Sequence, residues 1–183
     1  MPMDKPRIET ERLILRPPLR EDFDAYAANM ADEEASHFIG GLQSRPEAWR
    51  GFLQVAGAWE IQGFAMFSVI EKASGRWVGR LGPWFPEGWP GPEVGWGIVR
   101  DAWGKGYATE GAVATMDYAF DVLGWERVIH SIAPDNTASQ AVARKLGSRC
   151  LGPGVLPEPY ADKPIELWGQ SREDWRARRK QKP

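Results

Sequence analysis

Between Glu93 and Glu110 the chain reads E-V-G-W-G-I-V-R-D-A-W-G-K-G-Y-A-T-E: a β-type run, a glycine-punctuated turn, then a helical pattern. This joint constrains the fold more than any other stretch, because Gly104 and Gly106 allow a positive φ and a close backbone approach that a Cβ would block. A helix opening directly from the turn presents its first N–H groups and the positive end of its dipole. The joint reads either as a tight structural turn with a solvated Lys105 or as a cradle for a phosphate or pyrophosphate. No G-x-x-x-x-G-K-[ST] is present, and no G-x-G-x-x-G follows an expected strand, so the usual nucleotide loops are excluded.

A second segment has a similar plan. A β-rich run to Ala133 meets Pro134-Asp-Asn136, and a helix follows to Gly147. Asn136 stands where an N-cap belongs, and Ser139 lies three residues further on. Around these two segments the periodicity predicts strands over 7–16, 63–71, 76–84, 93–99, 127–133, 148–151 and 165–169. Helices are expected over 20–30, from the Ser44/Glu47 capping box to about Ile61, over 109–123 and over 137–146. Hairpin-like and crossover connections alternate, which predicts one twisted mixed α/β sheet of about six to seven strands flanked by about four helices. We expect a single domain over residues 1–171. A basic tail, 172–183, follows and is expected either as a solvated helix or as a dock for an acidic surface.

Composition narrows the function classes. The 183 residues are 43% hydrophobic and 26% charged, enough to bury a core. The net charge of −2 disfavours nucleic acid as a partner. A single cysteine, Cys150, excludes an internal disulfide; with only His37 and His130 as histidines, it points to a cytoplasmic, metal-free protein. No signal core or long apolar stretch suggests secretion or a membrane span. Cys150 is expected as a small buried residue, and His130, inside a β pattern, as a satisfied sheet residue. Ten tryptophans predict core and interface contacts, a homodimer among them.

The two segments together resemble the acetyl-CoA-binding core of the GNAT superfamily of N-acetyltransferases, and most closely its Rim-type ribosomal-protein N-terminal acetyltransferase branch. The resemblance rests on E-T-E-R-L-I-L-R at 9–16, W-G-K-G-Y-A-T-E at 103–110, and N-x-x-S at 136–139 with a helix ending K-L-G at 145–147. It covers residues 7–170 and implies a GNAT-like fold using acetyl-CoA as cosubstrate and an amine as acceptor, either a protein N-terminus or a small molecule. A non-catalytic acyl-CoA sensor is the alternative.

Carried onto this sequence, the resemblance implies that the backbone of Gly104, Lys105, Gly106, Tyr107, Ala108 and Thr109 holds the CoA phosphates. Ile98 and Val99 would pair with pantetheine and supply an N–H for developing negative charge. Asn136 would bond the pantetheine arm, and Arg144 or Lys145 would meet the adenosine phosphates. Glu93 is the implied general base and Ser139 the implied acid; their other readings are a strand-end carboxylate and a helix-face serine. His37, Trp84 and Tyr160 lie in segments expected to border the acceptor, with Tyr160 a second candidate acid. Trp103 departs from the Gln or Arg usual in the family, a change that a loop acting through backbone amides tolerates.

Overall fold

The computed structural model describes residues 6–181. The expected first strand is instead a tight hairpin of β1 (Ile8–Glu9) and β2 (Leu13–Arg16). Thr10 makes the turn: its N–H donates to Leu13 O at 3.0 Å and its hydroxyl accepts from Leu13 N–H at 3.0 Å. A short 3-10 turn then leads into α1 (Phe23–Met30). Asp22 at that junction is buried, with Arg16 bonding both its oxygens and Leu19 N–H and Ser68 Oγ also donating to it. One turn, α2 (Glu33–Ser36), is capped by Asp32, and α3 (Arg45–Ile61) starts at the expected box, where Ser44 N–H donates to Glu47 at 2.8 Å.

The meander of β3 (Phe67–Glu71), β4 (Trp77–Trp84) and β5 (Glu93–Ile98) is antiparallel. β3 begins later than the sequence predicts. Residues before it have backbone carbonyls engaged by side chains, Trp59 Nε1 on Met66 O and Gln62 Nε2 on Phe64 O, rather than by a neighbouring strand. The chain continues through α4 (Tyr107–Asp117), which widens into a π turn, then β6 (Arg127–Ile132) and α5 (Thr137–Leu146). A hairpin of β7 (Arg149–Gly154) and β8 (Ile165–Ser171) and then α6 (Arg172–Gln181) complete it.

The eight-stranded sheet has the order β1-β2-β3-β4-β5-β6-β8-β7. Six helices, among the described residues, flank it, slightly exceeding the expected counts within the same class. On one face Phe23 and Tyr26 of α1 and Phe52 of α3 pack with Ile70 and Trp77. On the other, Ala112 and Met116 of α4 and Leu146 of α5 pack on Val94 and Val128, together with Trp175 of α6. The basic C-terminal segment is thus docked: Trp175 is buried, and Arg176 and Arg179 pair with Asp121 and Asp117. Cys150 is exposed, not buried, because β7 is the edge of the sheet. Among the described residues no helix is long and apolar enough to cross a membrane.

Candidate active site

The parallel pair β5 and β6 defines the site. Their one paired register is Glu93 with Ile129, where Ile129 N–H donates to Pro92 O at 2.9 Å. Beyond it no register pairs the two strands, and they fork. Val99 N–H donates to Val78 O at 3.0 Å, so the odd-numbered backbone groups of β5 face β4 and the even-numbered ones face the fork. Of the two residues expected to offer backbone to a ligand, Ile98 therefore faces the fork and Val99 does not. Trp96 faces it too. The Ile98 carbonyl already accepts the Trp103 indole N–H at 2.7 Å.

A cavity of about 570 Å³ runs through the fork and is lined by Glu93, Ser139, Asn136, His37, Trp84 and Tyr160 among others. All the residues expected as catalytic or acceptor-facing, with Asn136, thus converge on one space. Ile98, Val99, the 104–109 turn and Arg144 lie outside its lining. Side chains alternate along β5. Val94 packs against α4, so Glu93, Gly95 and Gly97 project from the opposite face. A Cβ on Gly95 would meet Met66 at 2.9 Å, and one on Gly97 would meet Ile39 at 3.2 Å, so the two glycines make room for the Met66 and Ile39 side chains that line the cavity.

Glu93 is only 7% exposed, not a solvated strand end. Burial raises its pKa above the ordinary carboxylate value, opposed by hydrogen bonds from Trp89 Nε1 (2.5 Å), Ser131 N–H (3.2 Å) and Ser131 Oγ (2.9 Å). No cation pairs with it among the described residues. A buried carboxylate of raised pKa at a cavity wall suits proton transfer.

Ser139 belongs to α5, which packs with α4 on the other face. Its Oγ accepts from Trp96 Nε1 at 3.2 Å, which leaves its own proton available to a neighbour. Asn136 Oδ1 caps the helix by accepting from Ser139 N–H at 3.0 Å, which leaves its amide nitrogen for another partner. His130, behind Trp96, is a satisfied sheet residue. Its Nδ1 must carry the proton, since Val94 O at 2.7 Å can only accept, and its Nε2 meets Ser148 Oγ at 2.9 Å. Burial lowers its pKa to about 4, so the ring is neutral near pH 7.

The glycine turn has φ +74° at Gly104 and +82° at Gly106. The first bond of α4 runs from Glu110 N–H to Gly106 O, so the N–H groups of Tyr107, Ala108 and Thr109 have no acceptor within the helix. The turn is braced from behind: Arg12 donates to Lys105 O at 2.8 Å and to Glu110 at 2.7 Å, and Tyr107 OH donates to Glu71 at 2.5 Å. Free N–H groups at the positive end of a helix, on a fixed frame, are able to take an anion. The Lys105 ammonium lies 3.9 Å from Glu71 of β3, while the Arg144 guanidinium stacks on Trp168 of β8, so these two cations sit on opposite sides of the fork. Among the described residues no three His, Cys, Asp or Glu side chains are grouped as metal ligands.

A family model described as an acetyltransferase (GNAT) domain matches residues 12–149. The chain belongs to the GNAT acetyltransferase family. An uncharacterized N-acetyltransferase, p20, of Bacillus licheniformis is 31% identical over 141 residues, 75% of this chain and 79% of that protein. An acetyltransferase from Agrobacterium tumefaciens superposes with a TM-score of 0.81 at 30% identity, over 94% of this chain and 98% of that one. The ribosomal-protein-S5-alanine acetyltransferase of Vibrio fischeri superposes with a TM-score of 0.70 at 21% identity, over 93% and 98% of the two chains. That last likeness shows the fold alone.

For a GNAT chain the forked strands, the braced glycine turn and the single cavity form one constellation. Sequence reasoning missed Trp89 and Ser131, which hold Glu93, and Trp96, which holds Ser139. Strand alternation carried a signal for Ser131, which shares a face with Glu93. Trp89 lies in a loop whose path no periodicity gives.

Proposed function

We propose that the chain transfers the acetyl group of acetyl-CoA to a primary amine by direct attack within the forked cavity. The observation that carries this reading is the placement of a buried, unpaired Glu93 and a proton-bearing Ser139 on opposite faces of the sheet, joined by one cavity. An alkyl amine is less than about 1% neutral at pH 7 and an α-amine about 10%. Glu93 takes the proton released as the amine nitrogen bonds to the thioester carbon. A fork-facing N–H of Trp96 or Ile98 stabilises the carbonyl oxygen as it gains charge. As the C–S bond breaks, the Ser139 hydroxyl supplies a proton to the sulfur and regains one from solvent, while Glu93 releases the amine's proton to solvent. The N–H groups at 104–109 hold the pyrophosphate, and the amide nitrogen of Asn136 faces the pantetheine arm.

The neutral fraction favours an N-terminal α-amine as acceptor, in keeping with the fold-level likeness to the S5-alanine enzyme, with a small-molecule amine as the other source. A lone cysteine suits a cytoplasmic setting. Calorimetric titration with acetyl-CoA, with ATP and NAD as controls, tests the reading, followed by thiol release with peptides and small amines. Micromolar binding of acetyl-CoA alone with thiol release is expected. Binding without release from any amine supports a non-catalytic acyl-CoA sensor, and absence of binding removes the assignment.

A further inference from the structure

Arg80 of β4 lines the same cavity, and among the described residues its guanidinium has no hydrogen bond or ion pair. It lies over the face of the Tyr26 ring, 5.5 Å from the centroid. Its cross-strand neighbour on β3 is Ser68, which leads to the Asp22 carboxylate, but Arg16, Ser68 and Leu19 already saturate that group. A half-buried arginine with no counter-ion is an incomplete arrangement.

Two more groups beside it are incomplete. Tyr26 is 4% exposed, lines the cavity, and its hydroxyl has no hydrogen-bond partner among the described residues. Gly51 makes room for that hydroxyl, since a Cβ there would lie 3.0 Å from it. A helix-interior glycine is otherwise unfavourable, so the space around the Tyr26 hydroxyl accounts for it. Gln43, also in the lining, has a buried side-chain oxygen without a partner. A guanidinium and a phenol are donors for a carboxylate, whereas the orphaned Gln43 oxygen is an acceptor and suits an N–H of the same ligand.

The register orients this set. Arg80 is paired with Gly97, and Trp84 with Glu93, so Arg80 and Glu93 belong to the same face about 13 Å apart along the strand before side-chain reach is counted. Gly95, together with Ile39 packed over Gly97, lies between them in the lining. The cavity's other lysine or arginine, Lys163, lies against Tyr160.

Resting on the acetyltransferase reading, we infer that Arg80, with Tyr26, receives a carboxylate of the acceptor, which makes the acceptor an amine that carries a carboxylate within about one residue of its nitrogen. The source is a free amino acid or dipeptide, or an acidic residue beside a peptide N-terminus.

Acetylated products probe this arm without turnover. Calorimetry would compare N-acetyl-alanine, N-acetyl-alanyl-alanine and N-acetyl-alanyl-aspartate α-amide, whose side-chain carboxylate stays free, each against its carboxamide or asparagine counterpart, on the wild type, Arg80→Gln and Arg80→Lys. We expect at least one carboxylate to bind ten- to a hundredfold tighter than its neutral counterpart in the wild type. That preference should vanish in Arg80→Gln and partly return in Arg80→Lys, with far-UV circular dichroism and melting confirming the fold of both variants. Preference for either of the first two carboxylates identifies a small acceptor; preference for the aspartate alone identifies a peptide. Equal binding of charged and neutral members, no binding by any, or a preference surviving in Arg80→Gln overturns the inference. A parallel acetyl-CoA titration separates the two levels: retained acetyl-CoA binding without carboxylate preference sinks this inference alone, and loss of both sinks the acetyltransferase reading as well.

Discussion

The indole N–H of Trp89 donates to Glu93 Oε2 at 2.5 Å, so the loop entering β5 folds back onto the carboxylate that the strand begins with. Burial raises the pKa of Glu93 and this hydrogen bond lowers it. Trp89→Phe removes only the lowering contribution. The acid limb of kcat/KM, corrected for the free-amine fraction, is expected above the ordinary carboxylate value of about 4.3 and should move to higher pH in Trp89→Phe. Glu93→Gln should lose about 10²–10⁴-fold in kcat/KM with acetyl-CoA affinity retained. An acid limb indifferent to both substitutions would remove Glu93 as the titrating base.

Ser139 accepts from Trp96 and caps nothing with its own hydroxyl. Ser139→Ala should therefore lower kcat by about 10²-fold while leaving acetyl-CoA affinity and melting temperature nearly unchanged. Trp96→Phe, which frees the serine without deleting it, should cost less. A Ser139→Ala enzyme of full activity would return the residue to a helix-face role.

Gly104 and Gly106 separate backbone strain from crowding. An alanine at either position is strained by about 1–2 kcal/mol because φ is positive, which corresponds to a few degrees in Tm. Only at Gly106 does the new Cβ also touch Arg12, the arginine that braces the turn, at 3.4 Å, an ordinary contact, whereas Gly104 faces open space. Gly106→Ala should show the larger loss of acetyl-CoA affinity by calorimetry. Unchanged affinity in both variants would mean that the turn is architecture only.

His130 predicts a pH dependence of stability. Its folded pKa is about 4 against an ordinary value near 6.5, so the unfolded chain binds the extra proton first on acidification. The neutral ring's contribution is complete above pH about 6.5 and is lost as pH falls through about 4, up to about 3 kcal/mol in all. Urea unfolding of wild type and His130→Gln from pH 7 to 4.5 should show a smaller decline in the variant. Parallel curves would place the acid sensitivity elsewhere. Glu93 has the opposite sign: its raised pKa favours the fold below the ordinary carboxylate value, and that contribution is lost as pH rises through the folded value.

Helix α5 and the Ser44 capping box were legible because they depend on local chemistry: an Asn N-cap, an apolar stripe, a glycine stop. The hairpin at Thr10 was not. A run of alternating residues looks like one strand until a hydroxyl folds the backbone onto itself. Cys150 misled for a related reason, since whether a strand is an edge depends on the order of strands in space. The positions of Glu93, Asn136, Ser139 and the glycine turn at or near element ends were legible from spacing, while their proposed roles rest on the family resemblance. It was illegible at Val99, whose N–H faces β4 because of a register that only pairing sets.

By itself the sequence determined the element types, the mixed sheet and the glycine turn that opens α4, because each follows from residues within a few positions of one another. Only the tertiary structure decided where β5 and β6 part, and thus that Glu93 and Ser139 face one cavity from opposite sides of the sheet. It also decided that Arg80 enters that cavity without a counter-ion. Those relations join residues dozens of positions apart, and they are fixed by strand register and helix packing, which no local pattern of side chains encodes.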